Sequence, residues 1–524
     1  MKKFNLLFIS VLSLSTVYAQ DITDALRYSQ NEIQGTARFR AMSGAFGALG
    51  GDLSAVSLNP AGSVVFSNSH VTITGSNSYT KNETNYFNNM TSTNESCFGI
   101  NQGGAAFVFV NRNSSSPWTK FAMSLNYERT NNFNDFWQAR GTNTNSVDFV
   151  DNNNNFLAPV NSIAGNFHQF AQGQRLADIS ALPNESIDRA YRAIGNQFGY
   201  GNQQAFLGYE SYILDPEFDD DDNKTYFSNV AAGNFDHKYT YLATGYNGKM
   251  SFNFATQFED KFSLGINLNS HFINYERSTV LIEDNNNTGS TVTHIDFENN
   301  LLTTGAGFSF QLGGIFNLTP ELRAGVVYDS PTWYSIDEET TQYVKTIRDE
   351  SGTTRSQTIA PNIVNVYPRY QLQTPGKITG SLAYIIAKRG IISFDYSNQN
   401  FSNTEFKPTH DPELSNQNAL MSNVLTHVST YRVGAEYRVI NQLSLRGGYR
   451  YEDSPYKNGD IMSELQGFSA GIGYTFGNTK IDLTYDQASR SYQNNLYNLN
   501  GGGSPFASID RKNQNITLSL GFSI

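Results

Sequence analysis

Toward the end of the chain, Ile516, Leu518, Leu520, Phe522 and Ile524 alternate with Thr517, Ser519, Gly521 and Ser523. The same two-residue period sets Ile481, Leu483 and Tyr485 against Lys480, Asp482, Thr484 and Asp486. It also sets Phe262, Leu264, Ile266 and Leu268 against Ser263, Gly265, Asn267 and Asn269. Successive side chains of a strand point to opposite faces, so each such segment carries one apolar row and one polar row. Read this way, the chain has 14 strands, near 70–80, 102–110, 119–130, 238–258, 261–280, 299–316, 321–336, 371–387, 391–402, 426–440, 443–452, 464–476, 480–491 and 511–524. Short connections at 111–117, 259–260, 317–320, 388–390, 441–442 and 477–479 alternate with long ones at 81–101, 131–236, 281–298, 337–370, 403–425, 453–463 and 492–510. A β-sandwich with a solvated face also alternates, but it does not predict this regular exchange of short and long connections. The pattern predicts an all-β fold, a 14-stranded antiparallel transmembrane β-barrel with lipid on the apolar face.

Several strands approach 20 residues, whereas a tilted strand needs about 9–11 to cross a bilayer. They are expected to project beyond the outer leaflet. An even strand number puts both termini on the periplasmic side and the long loops outside the cell. The largest loop, 131–236, contains a helix beginning near Asn184 or Ser186 as N-cap, and reads as a lid or as a docking surface for a protein partner.

Before the first strand the pattern changes. Between 35 and 62, Gly44, Gly47, Gly50 and Gly51 are interspersed with Phe39, Met42, Phe46, Leu49, Leu53, Val56 and Leu58, and the segment closes on Asn59, Pro60, Ala61 and Gly62. That glycine density disfavours helix and strand alike, yet the segment is too apolar for a solvated tail. It must bury itself in something larger, and 20–66 reads as a plug inside the barrel formed by 67–524. A short helix over 21–28, capped by Asp21 or Thr23, precedes it. Residues 1–19 carry a basic start, a short apolar core and small residues at Val17 and Ala19, the form of a secretory signal peptide. No later segment has the roughly 20 consecutive apolar residues of a membrane helix.

Three stretches carry a family resemblance. Ala41-Met42-Ser43-Gly44-Ala45-Phe46-Gly47-Ala48-Leu49-Gly50-Gly51-Asp52, followed by Asn59-Pro60-Ala61, resembles the small-residue hatch of the FadL/TodX outer-membrane transporters of hydrophobic compounds. The segments from Arg323 to Pro331 and from Leu445 to Pro455 resemble two strand-to-loop junctions of that family, and that from Gly467 to Phe476 its twelfth strand. The resemblance implies 14 strands, an apolar ligand received beneath the extracellular loops, and a second site beside the hatch. It also implies a kink in the third strand that opens a sideways exit, although Lys120 to Glu128 contains no Gly or Pro to mark one.

Within the hatch, Phe39, Phe46 and Leu49 are candidate ligand contacts, with packing against the wall as the plainer role. Arg38 and Arg40 are candidates for a fatty-acid carboxylate, or for pairing with inward acids such as Asp395 and Glu436. Gly44, Gly47, Gly50, Gly51, Asp52, Asn59, Pro60 and Ala61 are candidate gating residues, while Asn59-Pro60 also suits a plain turn. An aromatic fraction of 13% suits strands and membrane girdles. A net charge of −11 with dispersed signs argues against nucleic acid. The acidic run 219–222 lacks the glycine and closing Glu of a calcium loop, and the seven histidines show no metal-ligand spacing. Cys97 stands alone, and no enzyme motif, metal or cofactor site is recognisable. The expected function is passive uptake of hydrophobic small molecules such as long-chain fatty acids across a Gram-negative outer membrane, in contact with its lipid and lipopolysaccharide. The alternatives are an interaction subunit of a secretion or surface-assembly machine and a haem receptor.

Overall fold

The wall closes where the first strand meets the last, with His70 opposite Ser523 and Asn85 opposite Ser508. In this computed structural model, which describes residues 22–30, 32–113, 115–145, 147–350, 352–499 and 502–524, the barrel has 14 antiparallel strands. The expected signal peptide and the Asp21 cap lie outside the described residues. The strands are β1 (His70–Tyr86), β2 (Asn89–Val110), β3 (Trp118–Asn132), β4 (Phe235–Phe258), β5 (Phe262–Asp284), β6 (Val292–Asn317) and β7 (Leu322–Asp329). They continue as β8 (Lys377–Ile386), β9 (Gly390–Asn400), β10 (His427–Arg438), β11 (Leu443–Glu452), β12 (Leu465–Phe476), β13 (Thr479–Asn495) and β14 (Phe506–Ser523). Two strands are prolonged by further segments: Asp135–Asn143 carries β3 on beside β4, and Trp333–Glu350 carries β7 on beside β6.

Burial along these strands is the reverse of a soluble protein. Phe252, Phe254, Leu264, Leu268, Phe308 and Leu312 are exposed, whereas Ser251, Asn253, Asn267, Asn269, Ser309 and Gln311 are buried. An apolar outer surface with polar rows inside is stable only with hydrocarbon outside, and a closed ladder leaves no backbone group unpaired there. Among the described residues no helix is long and apolar enough to cross a membrane.

More than one connection differs from expectation: 337–370 is largely strand, with Trp333–Glu350 paired to Thr353–Ile359. The stretch 81–101 is not a loop, because β1 and β2 run on as a hairpin to a two-residue turn at Phe87 and Asn88, both at positive φ. Both rows of this hairpin are largely polar, so its sequence does not alternate, and the backbone ladder marks it. The third strand keeps its ladder with β2 where Gly and Pro are lacking. Lys120 to Glu128 pairs continuously with β2, and register shifts fall at Trp118/Lys120 and Arg129/Asn131 on the β4 side. The β2–β3 ladder ends at Gln102 opposite Glu128.

The lumen holds α1 (Ile22–Ser29), α2 (Ala37–Ala41) and α3 (Leu53–Leu58), followed by a 3-10 turn over Pro60–Val65. Thr23 lies inside α1 rather than capping it. At the long-loop end, 144–234 folds into α4 (Ile163–Ala171), α5 (Ile187–Phe198) and α6 (Tyr200–Glu210). Helix α5 starts after Ser186, as expected of one of its two candidate caps. Phe167, Tyr191, Phe206 and Leu207 of these helices pack with Trp137, Tyr239, Leu281, Val344 and Ile509 of the prolonged strands in one apolar core. The loop is therefore a cap seated on the barrel. A further helix, α7 (Pro412–Val424), joins the core around α1.

Candidate ligand-binding site

The hatch is held by a few side chains that serve several backbone groups at once. Asp52 caps α3 through the Ser54 N–H, and its carboxylate also accepts from the Thr36 hydroxyl at 2.8 Å. Thr36 in turn caps α2 through the Phe39 N–H. One carboxylate thus ties the two helix starts together. Asn59 accepts from the Ala61 N–H and donates to the carbonyls of Gly47, at 2.6 Å, and Gly314, at 3.1 Å. Its turn is thereby bonded both to the hatch loop and to β6.

The polar inner rows of the wall bond the hatch backbone. Asp395 of β9 accepts the N–H groups of Phe46 and Gly47, both at 3.0 Å. Asn253, Asn267 and Gln311 donate to the carbonyls of Pro60, Val56 and Ser57. On the opposite side, Ser469 and Thr484 donate to the carbonyls of Ala41 and Ala37. These bonds answer the accounting problem of irregular backbone at membrane depth, which must find partners inside protein. The approach is close: a Cβ on Gly313 would lie 2.1 Å from Asn59 Oδ1, and one on Gly325 2.3 Å from the Gly47 oxygen.

Both hatch arginines are paired with acids of the wall. Arg38 reaches Glu436 at 2.9 Å, and Glu436 also takes Arg446, which continues to Asp482. Arg40 reaches Asp486 at 2.8 Å. Phe39, Phe46 and Leu49 form the hatch's own apolar core with Ile33, Met42, Ala55 and Leu58, against Ala383 of the wall.

Above the hatch lies a cavity of about 290 Å³. Its floor includes Ile33, Gln34 and Arg40, its sides include Phe133, Trp137, Tyr241, Tyr275 and Tyr492, and α1 contributes Leu26 and Arg27. Of the five candidate ligand contacts, Arg40 lines it, while Phe39, Phe46, Leu49 and Arg38 lie below. Six arginines reach its lining, Arg27, Arg40, Arg277, Arg450, Arg490 and Arg511, against four acids, Glu32, Asp135, Glu452 and Asp486. The site therefore combines aromatic faces, aliphatic patches and an excess of positive charge. Among the described residues no group of acids, histidines or cysteines could hold a metal.

Residues 222–500, more than half of the chain, match the family described as outer membrane protein transport protein (OMPP1/FadL/TodX). The chain belongs to this family. Its members are transport channels of the outer membrane rather than enzymes, and the protein is an outer-membrane transport protein. A FadL homologue from Pseudomonas aeruginosa is similar at 12% identity over 94% of this chain and 99% of its own, with a TM-score of 0.54, which shows the shared fold. The toluene transporters TodX of Pseudomonas putida and TbuX of Ralstonia pickettii align over the same shares, at 12% and 13% identity and TM-scores of 0.47 and 0.46. No curated protein matches the sequence.

In this FadL/TodX protein the cavity-lining arginines other than Arg27 and Arg40 come from β5, β11, β13 and β14. None stands out in the sequence, because each is a single charge on an inner row and only the register brings them together.

Proposed function

We propose that this chain takes up hydrophobic small molecules passively, long-chain fatty acids among them, with the capped long-loop end facing the exterior. The observation that carries this reading is the cavity above the hatch, lined by Leu26, Ile33, Phe133, Trp137, Tyr275 and Leu465. An apolar molecule leaving water gains roughly 25 cal/mol per Å² of buried apolar surface, which is enough to drive capture without an energy source. Below the cavity, the hatch core of Phe39, Phe46 and Leu49 meets the ligand as the hatch yields, hinged at its glycines Gly44, Gly47, Gly50 and Gly51 and at the Asp52 and Asn59-Pro60-Ala61 anchors.

The test is to purify the protein from its native membrane in mild detergent and to identify what is bound by extraction and mass spectrometry. Stoichiometric apolar ligands, lost in a Phe46→Asp variant that still forms a heat-modifiable barrel, are the expected result. A lumen holding detergent alone, with a protein co-eluting in fixed ratio, would overturn it in favour of an interaction role.

A further inference from the structure

Arg432 on β10 and Arg450 on β11 stand directly opposite each other in the ladder. Two residues nearer the short turns, Gly434 and Gly448 both face the hatch, where a Cβ would sit 2.7 Å and 2.5 Å from atoms of Met42. Alternation therefore sends both arginine side chains into the lumen, one two-residue step above the hatch. Both are half-buried.

Neither has a carboxylate within 4.0 Å or a hydrogen-bond partner among the described residues, and Arg432 Nε is buried without any acceptor. The acids nearby are all committed elsewhere. Asp395, across the ladder from Arg432 on its other side, holds the Phe46 and Gly47 N–H groups. Asp486 holds Arg40, and Glu436 holds Arg38 and Arg446. Glu452 holds Arg490, and Glu32 accepts from Gln34 and the Asn132 N–H.

Like charges directly opposite each other weaken an antiparallel pair, and the acids around these two arginines act on them only through space, without a hydrogen bond to either. A structural pair would carry an acid, as the other luminal arginine pair does: Arg490 stands opposite Arg511, and these are held by Glu452 and Asp135. Two adjacent guanidinium forks present more donors than one carboxylate can accept, and they match the three terminal oxygens of a phosphate monoester. Arg450 also lines the cavity, whose aliphatic patch at Leu26, Ile33 and Leu465 can take a tail.

We propose that Arg432 and Arg450 form a head-group site, just above the hatch, for an amphiphile with a compact multiply charged anion such as a phosphate monoester. This rests on the uptake reading above and names the head that its ligand carries.

The test compares octyl phosphate, octanoate and octanol as ligands of the full-length protein in a neutral maltoside detergent, by calorimetric titration. The expected order is phosphate, then carboxylate, then alcohol, with phosphate at least about tenfold tighter than alcohol and the difference shrinking at high salt. In Arg432→Gln/Arg450→Gln the three should bind alike, at the level of octanol to the wild type. Equal binding of all three to the wild-type protein would overturn the head-group site while leaving uptake standing. A phosphate preference that survives in the double variant would overturn the assignment to these two residues. No binding of any of the three would overturn both readings. The wild-type comparison decides even if the variant fails to fold.

Discussion

Arg40 of the hatch grips Asp486 of β13 with two parallel hydrogen bonds, Nε to Oδ1 at 2.8 Å and Nη2 to Oδ2 at 3.0 Å. The guanidinium is almost fully buried, and its third bond goes to Gln34 at 3.0 Å. Removing one partner of such a pair leaves an uncompensated charge, at a cost of about 3–5 kcal/mol. Asp486→Asn is therefore expected to loosen the hatch and admit bulky hydrophilic solutes, read as faster swelling of liposomes containing the variant. Arg40→Gln combined with Asp486→Asn removes both charges and should leak less than the single change.

Gly313 and Gly380 are both wall glycines, but they meet different surroundings. A Cβ at Gly313 would overlap Asn59 Oδ1 and Pro60, whereas one at Gly380 meets nothing within 4 Å. Gly313→Val should displace the 59–62 turn and raise hydrogen exchange across the hatch. Gly380→Ala should leave exchange unchanged. Asn59→Ala, which deletes a cap and the bonds to Gly47 and Gly314, should fall between them, at a cost on the order of 1–2 kcal/mol.

The strands were legible where lipid and lumen impose opposite chemistry on the two faces, as at Ile481 and Asp482 or at Leu518 and Ser519. Where both faces are polar, as along the hairpin through Asn85 and Asn94, nothing in the residue pattern distinguishes strand from loop. The hatch showed itself through glycines that its own turns require, Gly44, Gly50 and Gly51 at positive φ, and through Gly47, where a Cβ would meet Ser381 of the wall. The wall glycines that receive it, Gly313 and Gly325 among them, look like ordinary strand positions until the register is known. Helix α7 escaped the pattern although Asp411 caps it and Pro412 occupies its first turn, a legible start signal. The cavity charges were not legible at all, since Arg277, Arg450, Arg490 and Arg511 converge only through ladder pairing.

The cap is fastened at Glu283, a fully buried carboxylate near the top of β5. It accepts the Ile163 N–H at the start of α4 at 2.9 Å, the Ser162 hydroxyl, and a bond from His237 Nε2 at 2.8 Å. A carboxylate there also faces the positive end of the helix dipole. Glu283→Ala should cost the cap on the order of 3 kcal/mol, since hydrogen bonds to a charged group are worth about 1.5–3 kcal/mol each. Faster limited proteolysis between α4 and α5, with the barrel still heat-modifiable, is the expected outcome. Glu283→Gln retains an acceptor for one N–H and should fall between the variant and the wild type.

His168, on α4 within the cap, makes cap stability depend on pH. Burial pushes its imidazole down from 6.5 to about 4, partly offset by the bond from Nε2 to the Tyr226 carbonyl. A carbonyl only accepts, so Nε2 carries the proton, and Nδ1 is buried without a partner. As pH falls through 6.5 the unfolded segment binds a proton, while the folded cap refuses one until about 4. The stabilisation is therefore fully present above the unfolded pKa and declines with falling pH, by about 1.4 kcal/mol per pH unit and about 3 kcal/mol in all. Hydrogen exchange of α4, corrected for its intrinsic rate, should show the cap weaker near pH 5 than near pH 7 by about 2 kcal/mol. His168→Gln can still donate to Tyr226 but does not titrate, so its exchange should lose most of that difference. His237 and Glu283 remain in place in the variant, so the part of the pH dependence that belongs to His168 is the difference between the two proteins. An unchanged pH dependence in His168→Gln would overturn the assignment of the cap's acid sensitivity to His168.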